Sequence, residues 1–231
     1  MRILVRAILF FVLTCIGLPT MAQQKNKTDS LQNHRLSIEI SPLSLLNGYE
    51  QSYRIGLEVN LYKNLSVYIE GSGYFLINNN FFDLDGRLSN VKGDIIKCEL
   101  KYYLNQYSEF KRNYLSVQGF YKKQSFDWQD SIHLTPAYLT TFRDFKNVYA
   151  FDIKYGQVIT YKKRFIVDWY IGIGVRFKNV TSTLTSTQQA ALEYDDDNEY
   201  DSDLLGDIVN PTGKSIVPDI DLGIRIGYLI F

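Results

Sequence analysis

An alternating pattern in residues 165–177 (FIVDWYIGIGVRF) constrains the fold of this chain more than any other feature. Every odd position in this segment is apolar or aromatic, whereas the even positions include Asp168, Gly172, Gly174 and Arg176. A period of two places one face of a β-strand in an apolar medium and the other face in a polar one. The apolar face is long, and the chain repeats it several times. Such repetition is typical of a transmembrane β-barrel, in which lipid-facing and lumen-facing residues alternate.

Eight segments carry this pattern, an even number that fits the smallest common barrel. They are residues 35–42, 51–62, 65–75, 94–104, 114–123, 148–161, 165–177 and 218–231. The sequence therefore predicts an all-β fold, an eight-stranded antiparallel up-and-down transmembrane β-barrel formed by residues 35–231.

The links between these segments differ in length according to their order. Short links are expected at residues 63–64, 105–113 and 162–164, and longer ones at 43–50, 76–93, 124–147 and 178–217. Outer-membrane barrels have short periplasmic turns and longer outer loops. Because the long links all fall on one side of the predicted barrel, we expect them to face outward, with both termini on the periplasmic side.

The first 22 residues have the features of a secretory signal peptide. Arg2 and Arg6 precede an apolar run over residues 7–17, and a small-residue cleavage site follows at residues 19–22. The run is shorter than the roughly 20 residues that a membrane-spanning helix needs, which disfavours a single N-terminal anchor. We therefore predict a signal peptide over residues 1–22, a polar leader over 23–34 and export of the chain to the outer membrane.

The composition narrows the class of protein further. The chain has a formal net charge of zero and is 15% aromatic, with 18 Tyr and 14 Phe. A nucleic-acid partner would require a basic excess, so none is expected. After removal of the signal peptide only Cys98 remains, which excludes an intramolecular disulfide. No pattern in the sequence indicates a cofactor or a metal ion.

Charged residues occupy the polar faces of the predicted strands. The acidic ones are Glu39, Glu58, Glu70, Glu99, Asp152, Asp168, Asp219 and Asp221, and the basic ones are Arg54, Lys97, Lys101, Lys122, Lys154, Arg176 and Arg225. The interior of an eight-stranded barrel is just wide enough for side chains to fill it. Buried charges must be paired, so we predict a closed lumen filled by ion pairs. A narrow pore for ions or protons is the alternative.

Aromatic residues cluster near the ends of the predicted strands. They are Tyr62, Phe75, Tyr103, Tyr114, Tyr161, Phe165 and Phe177. Rings at such positions form the girdles at the two membrane interfaces. The sequence therefore predicts that these residues face the lipid.

Four segments resemble small outer-membrane β-barrel proteins of Bacteroidota, with OmpA/OmpX-like eight-stranded barrels. The segments are residues 40–46 (ISPLSLL), 56–59 (GLEV), 66–71 (SVYIEG) and 223–231 (GIRIGYLIF). Many proteins of this group belong to a family of uncharacterised function, so the resemblance implies location and fold rather than activity. It also implies that the barrel assembly machinery recognises the terminal Phe231. That residue is out of phase with Ile226, Tyr228 and Ile230, which an extra residue or a bulge in the last strand would explain.

The chain contains two histidines as candidates for catalysis. His34 lies in the polar leader, whereas His133 ends the sequence Asp130-Ser131-Ile132-His133 in the third outer link. A nucleophile, a base and an orienting acid are all present there, which suggests a lipid-modifying enzyme as an alternative function. Such residues often coincide in a polar loop, so no catalytic residue is assigned and the chain is not expected to be an enzyme.

The fourth outer link carries a run of acidic residues between Glu193 and Asp207. The part from Asp195 to Asp203 fails the EF-hand calcium pattern, because Tyr200 stands where the turn glycine is needed. A mobile, self-repelling surface loop is predicted, with cation bridging to lipopolysaccharide as the alternative. We predict a structural or surface-interaction role, in which the barrel contacts outer-membrane lipid and lipopolysaccharide and the outer loops bind an unknown extracellular or envelope partner.

Overall fold

Eight antiparallel strands follow one another around a closed barrel, in which β1 pairs with β8. The computed structural model describes residues 36–45, 52–62, 64–74, 88–108, 111–132, 138–190 and 212–230. The strands are β1 (Leu36–Ile40), β2 (Ser52–Tyr62), β3 (Leu65–Tyr74), β4 (Leu88–Ser108), β5 (Lys111–Ile132), β6 (Tyr138–Tyr161), β7 (Phe165–Ser182) and β8 (Gly213–Leu229). The predicted eight-stranded antiparallel up-and-down barrel is confirmed.

The short links lie at one end of the barrel, which we call the turn end, and the other links lie at the loop end. At the turn end, residues 162–164 connect β6 to β7, and Lys162 and Lys163 have φ angles of 49° and 62°. The Arg164 amide donates a hydrogen bond to the Tyr161 carbonyl at 3.2 Å, which closes a four-residue turn. Positive φ angles at both central residues of such a turn are the pattern of a type I′ turn, which matches the twist of the strands.

Each predicted segment corresponds to one strand, but β4 to β8 are longer than predicted. The link predicted at residues 124–147 is mostly strand, since β5 and β6 pair without interruption from Lys111 and Ile159 to Ile132 and Tyr138. Asp130 therefore lies in a ladder rather than in a loop. The link predicted at 105–113 is also largely strand, because β4 extends to residue 108 and β5 begins at residue 111.

The link predicted at residues 178–217 is partly ordered secondary structure. Its first residues extend β7, a 5-residue helix α1 (Ser186–Ala190) follows, and β8 already begins at Gly213. No helix in the described ranges is long and apolar enough to cross a membrane. The register of β8 against β1 and β7 runs without a shift, so the bulge expected in the last strand is absent between Gly213 and Leu229.

The barrel has an apolar outer wall and a polar interior. On the outer wall, Ile153, Ile173 and Leu222 are each more than half exposed, at 64%, 70% and 63%. In the interior, Lys101 and Arg225 are completely buried. This distribution inverts the one found in proteins that fold around an apolar core in water. It follows directly from the period-two alternation, because successive side chains in a strand point to opposite faces.

The charged residues assigned to the polar faces lie on the inner wall. Arg54, Arg176 and Asp221 are half-buried, and the other charged residues assigned to those faces are buried. The alternation therefore identified the inner face of every strand correctly over the segments in which it was found.

The predicted aromatic girdle is wrong for two residues. Tyr103 and Tyr114 are buried in the interior, where each phenol donates a hydrogen bond to a carboxylate, because both share the inner face with the charged residues beside them. Tyr62, Tyr161 and Phe165 are exposed on the outer wall, as predicted. The other two members of the predicted girdle are Phe177, which is also exposed, and Phe75, which lies outside the described residues.

Several predictions concern parts of the chain that the structure does not describe. They are the signal peptide and the polar leader with His34, the imidazole of His133, the acidic run from Asp195 to Asp203, and Phe231. These assignments stay predictions.

Candidate functional site

A chain of ion pairs with alternating charge crosses the interior of the barrel. Its members, in order of contact, are Glu58, Lys101, Asp168, Arg225, Glu99, Lys154, Asp221 and Lys97. Four carboxylates and four cations thus neutralise one another. These residues come from β2, β4, β6, β7 and β8, so the chain of contacts ties together opposite sides of the barrel.

Arg225 occupies the centre of this network. Its guanidinium donates to Asp168 at 3.0 Å and to Glu99 at 2.6 Å. The rings of Tyr68 and Tyr170 cover it, with centroids 4.1 and 4.3 Å from the guanidinium carbon. A planar, delocalised cation suits both contacts, since it stacks on aromatic rings while its edge donates hydrogen bonds. Two carboxylates and two rings therefore fix the side chain from different directions.

Lys101 connects the next two carboxylates. Its ammonium lies 2.6 Å from Glu58 and 2.8 Å from Asp168, and it is completely buried. The Tyr114 ring centroid lies 4.8 Å from the ammonium. Asp168 is also the direct cross-strand partner of Arg225. One carboxylate therefore accepts hydrogen bonds from two cations, which compensates for the removal of all three charges from water.

Neutral hydroxyl groups complete the hydrogen bonding of the carboxylates. Glu58 accepts from Ser66 at 2.7 Å and from Tyr103 at 2.5 Å, and Asp168 accepts from Tyr114 at 2.8 Å. Buried polar networks add to stability only when their members are satisfied. The inward position of the two tyrosines is thus explained, because each supplies a donor that the ion pairs alone would lack.

Lys154 begins the part of the network nearer the loop end. Its ammonium lies 2.7 Å from Asp221 and donates to the Gln118 carbonyl oxygen at 2.7 Å. The amide of Gln118 donates in turn to Asp221 at 3.0 Å and to Asp152 at 3.1 Å. The Gln118 amide therefore extends the network to Asp152, whose carboxylate is not in direct contact with any of the four cations of the network.

Glycines on neighbouring strands make room for the inner tyrosines. The Tyr170 hydroxyl lies 2.5 Å from the place that a Cβ atom on Gly223 would occupy, and Tyr114 lies in the same way over Gly156. Both pairs face each other directly across their strands. Any larger residue at these glycines would push the ring away from the wall, so the glycines set the position of the rings that contact Arg225 and Lys101.

We expect Gly223→Ala to destabilise the barrel by about 1–3 kcal/mol, because the added methyl group displaces the Tyr170 ring from Arg225. The free energy of unfolding in urea, measured with the protein in lipid vesicles, checks this value. Gly71→Ala is the matched control, since a Cβ atom there meets no atom within 4 Å. Equal losses in the two variants would contradict the role assigned to Gly223.

The interior contains little free space at the turn end. A cleft of about 10 Å³ lies there between Glu39, Glu58 and Tyr103, with Arg112 also lining it. That volume holds about one water molecule. One carboxylate oxygen of Glu39 is buried there without a hydrogen-bond partner, and a water in the cleft would satisfy it.

Two inner-wall lysines at the loop end were not predicted from the sequence. Lys146 and Lys178 are almost completely buried on β6 and β7, in segments predicted to be loops. Val148 on β6 is the cross-strand partner of Lys122 on β5 and of Lys178 on β7. Only continuation of the strands beyond the predicted limits would have placed these lysines inside.

The chemistry of this interior is that of a filled, charge-balanced core. In the parts of the chain that the structure describes, no group of three or more His, Cys, Asp or Glu side chains is placed to hold a metal ion. Asp130 and Ser131 are consecutive residues in the β5 ladder, paired with Thr140 and Leu139. The arrangement positions opposite charges against one another inside the barrel.

No protein-family model matches the sequence, and no curated protein matches it. Among solved structures, the N-terminal β-barrel domain of OprF from Pseudomonas aeruginosa is similar. It is 10% identical in sequence, the match covers 84% of this chain and 96% of that domain, and the TM-score is 0.38. The assignment of the fold here rests on the strand pairing described above.

Proposed function

We propose that this chain is an outer-membrane β-barrel with a closed, ion-paired lumen, which presents its loop end to an extracellular or envelope partner. The apolar outer wall around a charged, buried interior is the observation that carries this proposal. In water such a wall would be an exposed apolar surface far larger than monomeric soluble proteins show. In lipid it is the favoured surface, and the closed barrel leaves no unpaired strand edge.

The height of the apolar wall fits a membrane. On β7 the outward-facing residues from Phe165 to Phe177 are apolar or aromatic, and they are exposed. Twelve residue steps span about 40 Å of strand. At a tilt of roughly 40° this length covers about 30 Å along the barrel axis, close to the thickness of the hydrocarbon core.

The packing of the interior supports a closed lumen. Arg225 lies in the lumen between Asp168 on β7 and Glu99 on β4, and the centroids of the Tyr68 and Tyr170 rings lie 4.1 and 4.3 Å from its guanidinium carbon. An ion passing through the lumen would have to break ion pairs whose opposite charges neutralise each other. The alternative of a narrow pore predicts a measurable conductance in planar bilayers, whereas the closed lumen predicts none.

The hairpin of β5 and β6 is the described element that extends furthest at the loop end. Beyond the last pair of β6 with β7, Arg143 binds Asp127 through two hydrogen bonds, and Asn90 donates to Asp127 at 2.7 Å. These hydrogen bonds, mainly those from Arg143, lower the pKa of Asp127 to about 2. The ion pair between Arg143 and Asp127 therefore persists into the acidic range, and it supports the hairpin as a rigid surface for a partner.

Fractionation of a tagged copy, followed by gel mobility with and without boiling, tests the proposal. We expect recovery in the outer membrane and a faster band before boiling, because a closed barrel resists unfolding by detergent at room temperature. Recovery in the soluble periplasm with a single mobility would reject the membrane location, and the apolar wall would then require another protein to cover it.

A further inference from the structure

A polar row crosses the outer wall near the loop end. Lys123, Asn147, Asn179 and Lys214 lie side by side on β5, β6, β7 and β8, each the direct cross-strand partner of the next. All four occupy outward-facing positions, and both lysines are exposed. Three strand spacings separate the two lysines, or about 14 Å. We call these four residues the polar row.

An apolar row borders the polar row on the side of the turn end. It consists of Tyr121, Tyr149, Phe177 and Ile216, which are again successive cross-strand partners. The Tyr121 and Tyr149 rings lie 4.9 Å apart, and the Tyr121 hydroxyl donates to Asn147 at 3.2 Å. Within two residues on each strand, the wall thus changes from aromatic and aliphatic to cationic and amide side chains.

The charges of the polar row favour an anionic ligand. Among the described residues neither Lys123 nor Lys214 forms an ion pair, although Asp94 lies across from Lys123 on β4. Lysine ammonium groups bind phosphate as point charges, and asparagine amides donate to and accept from hydroxyl groups. The row therefore offers two cations for phosphates, with two amides between them for sugar hydroxyls.

We propose that the polar row binds the phosphorylated sugar headgroup of lipopolysaccharide in the outer leaflet. A lipid fits better than a free phosphate ion, because the polar row continues directly into the apolar row, where acyl chains would lie. Lysines near a membrane surface attract anionic headgroups by a comparable mechanism. The inference rests on the proposed membrane location and adds to it the identity and the place of a bound lipid.

The double variant Lys123→Gln/Lys214→Gln tests this site. With the full chain in detergent, we expect its affinity for purified lipopolysaccharide to be about tenfold weaker than that of the unmodified chain. Lys162→Gln/Lys163→Gln is the matched control, because these exposed lysines occupy the turn at the opposite end of the barrel. The control variant should bind lipopolysaccharide as the unmodified chain does.

Two further probes distinguish the source of the phosphate. Lipopolysaccharide stripped of its phosphates should bind the unmodified chain and the Lys123/Lys214 variant equally, and millimolar inorganic phosphate should not displace the intact lipid. Displacement by inorganic phosphate would show a free-phosphate site and overturn the lipid assignment.

The gel assay separates failure of this inference from failure of the proposed function. If the unmodified chain shows the heat-dependent shift but the Lys123/Lys214 variant keeps full affinity for lipopolysaccharide, the polar row is not the lipid site and the membrane location stands. If the unmodified chain shows no shift and is recovered in the soluble periplasm, both are rejected.

Discussion

Arg225→Met should lower the free energy of unfolding of the barrel by roughly 3–5 kcal/mol, because it leaves Glu99 and Asp168 buried without their shared cation. The substitution also removes the cation–π contacts of the guanidinium with Tyr68 and Tyr170. Urea titration of the protein in lipid vesicles, followed by tryptophan fluorescence, measures the change. The effect is large because methionine fills the volume but supplies none of the donors.

A surface arginine provides the control for this experiment. Arg164 is exposed and donates a single hydrogen bond to Tyr228, so Arg164→Met should change the free energy of unfolding by less than about 1 kcal/mol. Adding Glu99→Gln to Arg225→Met should recover part of the loss, since the double variant removes one uncompensated carboxylate. Similar losses in the two single variants would show that the central ion pairs do not stabilise the barrel.

Ile173→Arg should destabilise the protein in vesicles by about 2–4 kcal/mol. Ile173 is 70% exposed and lies in the middle of the outward-facing apolar residues of β7. At so exposed a position on a water-soluble protein, the same change would have little effect. The loss is expected because the guanidinium would enter the hydrocarbon core, and the free energy of unfolding in vesicles of defined composition measures it.

A second isoleucine of equal exposure gives the matched control. Ile216 is 69% exposed but lies next to the polar row, where the wall meets the headgroups. Ile216→Arg should therefore cost only about 0–1 kcal/mol, since the cost of a charge falls toward the interface. If both substitutions lowered the free energy of unfolding by the same small amount, the outer wall would not face lipid, and the membrane location would be rejected.

The alternation of side chains was sufficient to predict the fold and most of the interior. In β7 the pattern placed Asp168 inside and Ile173 outside, and both positions are confirmed. A period-two pattern carries this information locally, because a shift of one residue would reverse every side chain. Which carboxylate meets which cation could not be predicted, since Glu99 and Arg225 are 126 residues apart and meet only after the barrel closes.

The loop ends of the strands were missed because their outward faces become polar there. Lys123 on β5 and Arg143 on β6 face outward and are exposed, while Lys146 faces inward and is buried. With polar residues on both faces the alternation disappears, and the segment no longer stands out as a strand. The limits predicted for β5 and β6 therefore fell where the outer face changes from apolar to polar, rather than where the strands end.

The two misplaced tyrosines show a different limit. Tyr103 follows Lys101 by two residues, so the alternation itself places both on the inner face. The predicted girdle rested only on positions near the ends of strands. Tyrosine fits either the interior or the lipid interface there, because it has an apolar ring and a polar hydroxyl. The face of the strand therefore predicts whether a tyrosine lies in the interior or on the outer wall, and the position along the strand does not.

The position of Arg225 in the last strand has a consequence for assembly. Until β8 joins β7 and β1, Glu99 on β4 and Asp168 on β7 lack the cation that neutralises both of them. Without Arg225, Asp168 has only Lys101 and Glu99 has only Lys154 as an ion-pair partner in the network. A carboxylate that is short of partners holds its water strongly, so the interior of an incomplete barrel stays wetter. Arrival of the final strand supplies the missing charge and expels that water in one step. Closure of the wall and drying of the interior are therefore a single event, and a chain that stops before β8 can complete neither.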